Sequence, residues 1–206
     1  MNGDFENKSW WELPLLRPID VQQIAGVDNG TFSNWIRTGV FAGGLLYSGT
    51  FSFGGKKERP GRLFSTVDAA RLVLIDSLVG TMKASLAGSA AGSPAALNRI
   101  REILVLADDN KLDLDIPEER VEGQFIPLLP PPLGEQEFLV CWSDKKRGGF
   151  FTCRVGAQEL LKQIEGVAAV VAPLDELAVR ALNAARNIIA TRQLKERILA
   201  AAERHQ

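Results

Sequence analysis

The sequence predicts an α+β protein. Two short helices and a Gly-rich β-hairpin open the chain; a capped helix, a small α/β unit and a long C-terminal helix follow. Three observations carry this reading. Apolar residues recur at helical spacing twice before residue 40, and Gly26 and Gly39 close the two runs. Residues 45–64 and 137–155 alternate around turns rich in Gly and Lys, the pattern of antiparallel hairpins. From Leu174 a helical pattern runs to about Glu203, roughly 45 Å at about 1.5 Å per residue.

Each element follows from local chemistry. Asp20 is read as the N-cap of a first helix holding Val21, Ile24 and Ala25, with Gly26 supplying its left-handed end. Asp28 or Asn29 caps the second, whose apolar face is Phe32, Trp35 and Ile36 and which Gly39 ends. Two helices joined by a tight Gly-containing turn form a helix-turn-helix. Strands are expected at Leu45–Tyr47 and Thr50–Phe53, a hairpin tip at Gly54–Gly61 and a return at Arg62–Phe64. Ser65 and Asp68 form a capping box for a helix through Met82. The small residues 88–94 read as a linker or helix break, after which Ser93 and Pro94 start a helix to about Ala107. An acidic stretch (108–122) and the Pro127–Pro132 run separate this part from the second unit. The expected division is 1–87, 88–133 and 134–206.

Composition excludes several function classes. With 46% hydrophobic and 24% charged residues the chain has ordinary globular proportions. A formal net charge of −1 excludes a uniformly basic coat, so any anion site must come from local clustering. The one histidine, His205, is next to last, which removes Ser/His/Asp and Cys/His machinery and His-based metal clusters. Asp108, Asp109, Asp113 and Asp115 lack the glycine and terminal Glu of an EF-hand, and Gly54-Gly55-Lys56 lacks phosphate-loop spacing. No catalytic activity, cofactor or metal is therefore expected. Met1–Ser9 carries Asp4 and Glu6 and no apolar core of a signal peptide, and no apolar run approaches membrane-spanning length, so a cytoplasmic, nucleoid-associated protein is expected.

The run Gly26-Val27-Asp28, Thr31-Phe32-Ser33-Asn34-Trp35-Ile36-Arg37-Thr38-Gly39-Val40 resembles the helix-turn-helix of MerR-like winged-helix regulators and their excisionase-like relatives. Gly61-Arg62-Leu63-Phe64-Ser65 with Asp68-Ala69-Ala70-Arg71-Leu72 is similar to the wing-to-helix segment of that family. The resemblance covers roughly residues 19–82 and implies a winged helix-turn-helix that binds double-stranded DNA. MerR regulators usually carry Arg and Tyr where this chain has Ser33 and Asn34, and nothing here matches the cysteines of their metal-sensing members.

Local charge agrees. Between Ser33 and Thr66, Arg37, Lys56, Lys57, Arg59 and Arg62 face a single acid, Glu58. Asn34 and Arg37 suit adenine and guanine edges or phosphates, and Lys56 to Arg62 suit flanking phosphates. Asn29, Thr31 and Ser33 complete the expected surface, Thr31 and Ser33 being short enough to let the helix N-terminus approach a phosphate. Trp10 and Trp11 are expected to pack an N-terminal arm on the core; the other use for them is base stacking.

In the second unit, 137–142 and 150–155 read as strands around a basic turn, with Cys141 and Cys153 nearly opposite and reduced. A short helix at 157–164 and a buried strand at 167–171 follow. Leu174, Leu177, Ala181, Ala184 and Ile188 give the last helix a coiled-coil-like face, from which a homodimer is expected, matching paired DNA half-sites. The leading functional reading is a transcriptional regulator reading the major groove with helix 28–39 and flanking phosphates with residues 54–62. The alternatives are a phage or mobile-element factor, excisionase-like or small-terminase-like, and a protein-interaction adaptor that touches no DNA.

Overall fold

The computed structural model describes residues 9–46, 52–53, 56–57, 62–108, 136–143, 148–153, 162 and 169–204. The hairpin tip with Arg59, the acidic stretch from Asp109, the Pro run, the basic turn 144–147, His205 and all but residue 162 of the expected helix 157–164 lie outside them.

The order is a 3-10 turn at Trp10–Glu12, α1 Pro18–Ala25, α2 Asn29–Thr38, β1 Leu45–Leu46, β2 Ser52–Phe53, β3 Lys56–Lys57 and β4 Arg62–Leu63. It continues with α3 Thr66–Val79, α4 Ala84–Ala91, α5 Pro94–Asp108, β5 Phe138–Ser143, β6 Gly148–Cys153, β7 Ala169–Pro173 and α6 Leu174–Arg204. Helices and antiparallel sheet are thus combined in an α+β arrangement.

Local capping sets most boundaries. Gly26 and Gly39 end α1 and α2 in the left-handed conformation, at φ 73° and 75°. Ser65 and Asp68 close their capping box on α3, and the Ser93 hydroxyl accepts from Ala96 N at 3.2 Å to start α5. Asp20 differs from expectation. It is the third residue of α1, not its cap: Pro18 begins the helix, and the Asp20 carboxylate accepts the Arg17 backbone N–H at 2.7 Å. Residues 88–94 hold the expected helix break, between Ala91 and Pro94, and not a linker. Their first half belongs to α4, which spans the 87/88 boundary and buries Ala87, Gly88, Ala90 and Ala91. Gly88 is needed there, because a Cβ would stand 2.3 Å from the Val40 carbonyl oxygen.

α3 is the hub. It packs on α1, α4, α5 and α6, and burying Leu72, Val73, Leu74, Ile75 and Leu78 makes it apolar nearly all round. One continuous hydrophobic cluster runs from Trp10 to Ile189. Trp10 and Trp11 are buried in it, as expected of an arm, which leaves neither ring open for base stacking. Much of the apolar surface in the first half of α6 is covered within the chain. Leu174, Leu177, Ala178, Ala181, Leu182, Ala185 and Ile189 are buried, against neighbours on α3, α5 and α1. Of the residues expected on that face, Leu174, Leu177 and Ala181 are buried by this chain's own core, while Ala184 and Ile188 are half-buried.

In the second sheet β5 lies between β6 and β7, all antiparallel. Leu139 and Cys141 join the main core, and Val140 points the other way. Cys141 pairs with Phe150 and Cys153 with Phe138, so the two cysteines do not face each other. β7 is a half-buried edge strand, not the enclosed one expected. No helix among the described residues is long and apolar enough to cross a membrane.

Candidate nucleic-acid interface

The surface in question is built on α2. Phe32 and Trp35 anchor it, at 3% and 5% exposure. With those two turned inward, helical geometry turns Asn29, Ser33 and Arg37, spaced four apart, onto one outer face with Asn34 beside them, and all four are exposed. Arg37 Nη2 donates to Asn34 Oδ1 at 2.8 Å, which aligns the amide and the guanidinium as a single polar pair. The Thr38 hydroxyl donates to the Asn34 carbonyl and completes the last turn.

Three aromatic rings fix this helix to the hairpin. Phe32, Phe41 and Phe64 come from α2, from the segment after it and from the hairpin's return, with centroids 5.6–5.9 Å apart. Chain crossing over these rings must lack side chains. At Gly44, whose φ is +80°, a Cβ would lie 2.6 Å from the Phe64 ring, and at Gly43 it would lie 2.5 Å from Asp68 Oδ1. Glycine at 43 and 44, between α2 and β1, is thus a consequence of close packing. Leu16 bridges Phe64 through paired backbone bonds of 2.9 and 2.8 Å, adding the arm to the hairpin's root.

The hairpin's register relocates the basic residues. Leu45 pairs with Leu63 and Leu46 with Arg62, while Ser52 pairs with Lys57 and Phe53 with Lys56. Lys56 and Lys57 therefore form a strand, only two residues beyond β2, rather than a loop tip. Arg62 stands at the root, where its Nη1 donates to the Gly43 carbonyl at 3.3 Å. Arg59 lies outside the described residues.

Asp28 caps the N-terminus of α2, as expected. Asp28 Oδ1 accepts from the Gly30 and Thr31 amides at 2.8 and 3.0 Å, and Oδ2 accepts from the Thr31 hydroxyl at 2.6 Å. These bonds, the Thr31 hydroxyl's foremost, hold the Asp28 carboxyl below its ordinary range. The donors that a phosphate would use are occupied by a carboxylate, so the positive character of α2 lies at Arg37 instead, in its last turn.

Sequence reasoning missed the residues that tie this region to the rest of the molecule. Arg71 of α3 reaches over the Phe41 ring, 5.9 Å from its centroid, and donates to the Ala42 carbonyl. Arg192 of α6 donates to the Leu15 carbonyl at 2.8 Å and to Asp20. Neither contact has a local signature, since the partners lie far apart in sequence. Among the described residues no group of three or more His, Cys, Asp or Glu side chains is placed to hold a metal ion. No protein-family model matches the chain, and no curated protein is significantly similar to it.

Proposed function

We propose that this protein is a sequence-specific binder of double-stranded DNA and a transcriptional regulator, whose first residues act as a MerR-like winged helix-turn-helix. One observation carries the reading: α2 is anchored by Phe32 and Trp35 while Ser33, Asn34 and Arg37 stand exposed together on it. In this reading α2 enters the major groove, where Asn34 and Arg37 have the donor and acceptor sets for adenine and guanine edges. Lys56, Lys57 and Arg59 act on flanking phosphates, giving affinity without sequence information. A two-fold homodimer would present two such helices to paired half-sites. Leu174, Leu177 and Ala181 of α6 are taken up by this chain's own core, which leaves the half-buried Ala184 and Ile188 of that face for such a dimer.

Selection of bound duplexes from a random-sequence pool tests the reading, with affinities measured at two salt concentrations. An enriched motif and an affinity that falls steeply with salt are expected. Charge reversal at Lys57 and Arg59 should flatten that dependence by about one unit of slope per lost phosphate contact. No enrichment, with no salt-dependent binding, sinks the proposal and leaves a protein-interaction role for the same exposed face.

A further inference from the structure

A single guanidinium of α6 grips two pieces of the N-terminal region at once. Arg192 Nη2 donates to Asp20 Oδ2, and Nη1 donates to the Leu15 carbonyl at 2.8 Å. The Asp20 side chain is 5% exposed and that of Arg192 19%. Asp20 is also the hub of the α1 start: it accepts the Arg17 backbone N–H at 2.7 Å and two guanidinium bonds from Arg17, at 3.2 and 3.1 Å. Burial alone would raise the Asp20 carboxyl; the hydrogen bonds from Arg17 and the charge of Arg192 outweigh it and hold the group ionised. Each prong leads to a different part of the candidate interface. Leu15 adjoins Leu16, whose backbone bridges Phe64 at the hairpin's root. α1 leads through the Gly26 turn to α2, and Gln22 Nε2 reaches Asn29 Oδ1 at 3.4 Å.

We propose that Arg192 is a positioning residue: a latch through which the C-terminal helix sets the placement of α2 and of the hairpin root relative to each other. A continuous chain of hydrogen bonds and packed side chains of this kind can carry a load from one site to another. Any ligand or partner that shifts α6 at Arg192 then changes the surface that α2 and the hairpin present. The consequence for DNA affinity rests on the DNA-binding reading above; the latch itself does not.

Full-length R192A and R192K, compared with wild type by amide hydrogen exchange and by binding to the enriched duplex, test it. Lys can still pair with Asp20 but has no second prong for the Leu15 carbonyl. Breaking a charge-assisted bond of this kind should speed exchange about tenfold in 16–38 and 62–64 for R192A. R192K should fall between R192A and wild type, and the core of α3 should be unchanged in both. DNA affinity should drop about tenfold in parallel for R192A. Exchange that rises uniformly, α3 included, would show a merely structural contact and overturn the latch, as would exchange unchanged at α2 and the hairpin root in both variants. Should wild type bind no duplex while the local exchange pattern appears, the latch stands and the DNA-binding reading fails.

Discussion

Replacing Asp175 with alanine should be among the most damaging single changes in this protein, for a reason unconnected with DNA. Arg99 is buried, and its Nε and Nη2 donate to the two Asp175 oxygens at 2.7 and 3.1 Å. Asp175 is wholly enclosed and also accepts the Glu137 amide at 2.7 Å. The bonds to Asp175, with the one Arg99 Nη1 donates to Glu102 at 2.9 Å and the nearby Glu137 carboxylate, hold the Arg99 guanidinium far above its ordinary pKa. Deleting one partner of a buried pair costs about 3–5 kcal/mol because a charge is left uncompensated. Glu102 and Glu137 remain as partial partners, which puts D175A near the lower end, about 3 kcal/mol. For a chain of this size that lowers Tm by about 6–12 °C. Urea unfolding monitored by circular dichroism measures it. The double replacement R99M/D175L removes both charges and should recover most of the loss. A D175A loss under about 1 kcal/mol, or a double variant as unstable as the single, would refute the idea that an orphaned charge is the cost. Because the network joins α5, β5 and the first turn of α6, DNA affinity per folded molecule should not change.

Three further outcomes follow from the packing, burial and capping of other residues. G88A must push the Val40 carbonyl away from a Cβ that would otherwise lie at 2.3 Å. Overpacking of this kind costs about 1–3 kcal/mol, readable as a Tm lower by about 2–12 °C; an unchanged Tm would show that α4 sits loosely. Burial raises the Cys141 thiol to about 11, so at pH 8 only about one molecule in a thousand carries the reactive thiolate. A C153S protein should resist a disulfide-exchange reagent at pH 8 when native and react promptly in urea; fast native labelling would contradict the burial. D28S keeps a capping oxygen for the Gly30 and Thr31 amides but removes the carboxylate from the α2 N-terminus. It should raise DNA affinity about two- to fivefold, as removal of one acid near a phosphate implies, while leaving the circular dichroism spectrum intact; unchanged binding would show that Asp28 faces away from the duplex.

What could be read in the chain is what local chemistry decides. The Asp28 cap, the Gly39 stop, the Ser65–Asp68 box and the Ser93-Pro94 start each act within a few residues and appear where expected. The outward placement of Ser33, Asn34 and Arg37 follows from Phe32 and Trp35 by helical periodicity alone. α4 was illegible because its segment, Ala84 to Ala91, holds one large apolar side chain, Leu86, and that one is exposed. Its burial comes from small residues approaching Val40, a tertiary fact. Asp20 was misassigned for a related reason. A carboxylate near a helix start suits either cap or third residue, and Arg192, 172 positions away, shares it. The cysteine pairing failed on register, since a turn of four residues rather than seven shifts every cross-strand partner. The stripe on α6 was visible, but periodicity does not say which surface covers it.

The central claim is that Asn34 and Arg37 read bases. The most direct test is the ratio of affinities for the enriched duplex and a scrambled one of equal length, in wild type and in N34A/R37A, at fixed salt. Loss of two base contacts should cut that ratio at least about tenfold while binding to the scrambled duplex changes little. A ratio that survives the double substitution would mean that the exposed face of α2 does not read sequence, and the account built on it would be wrong.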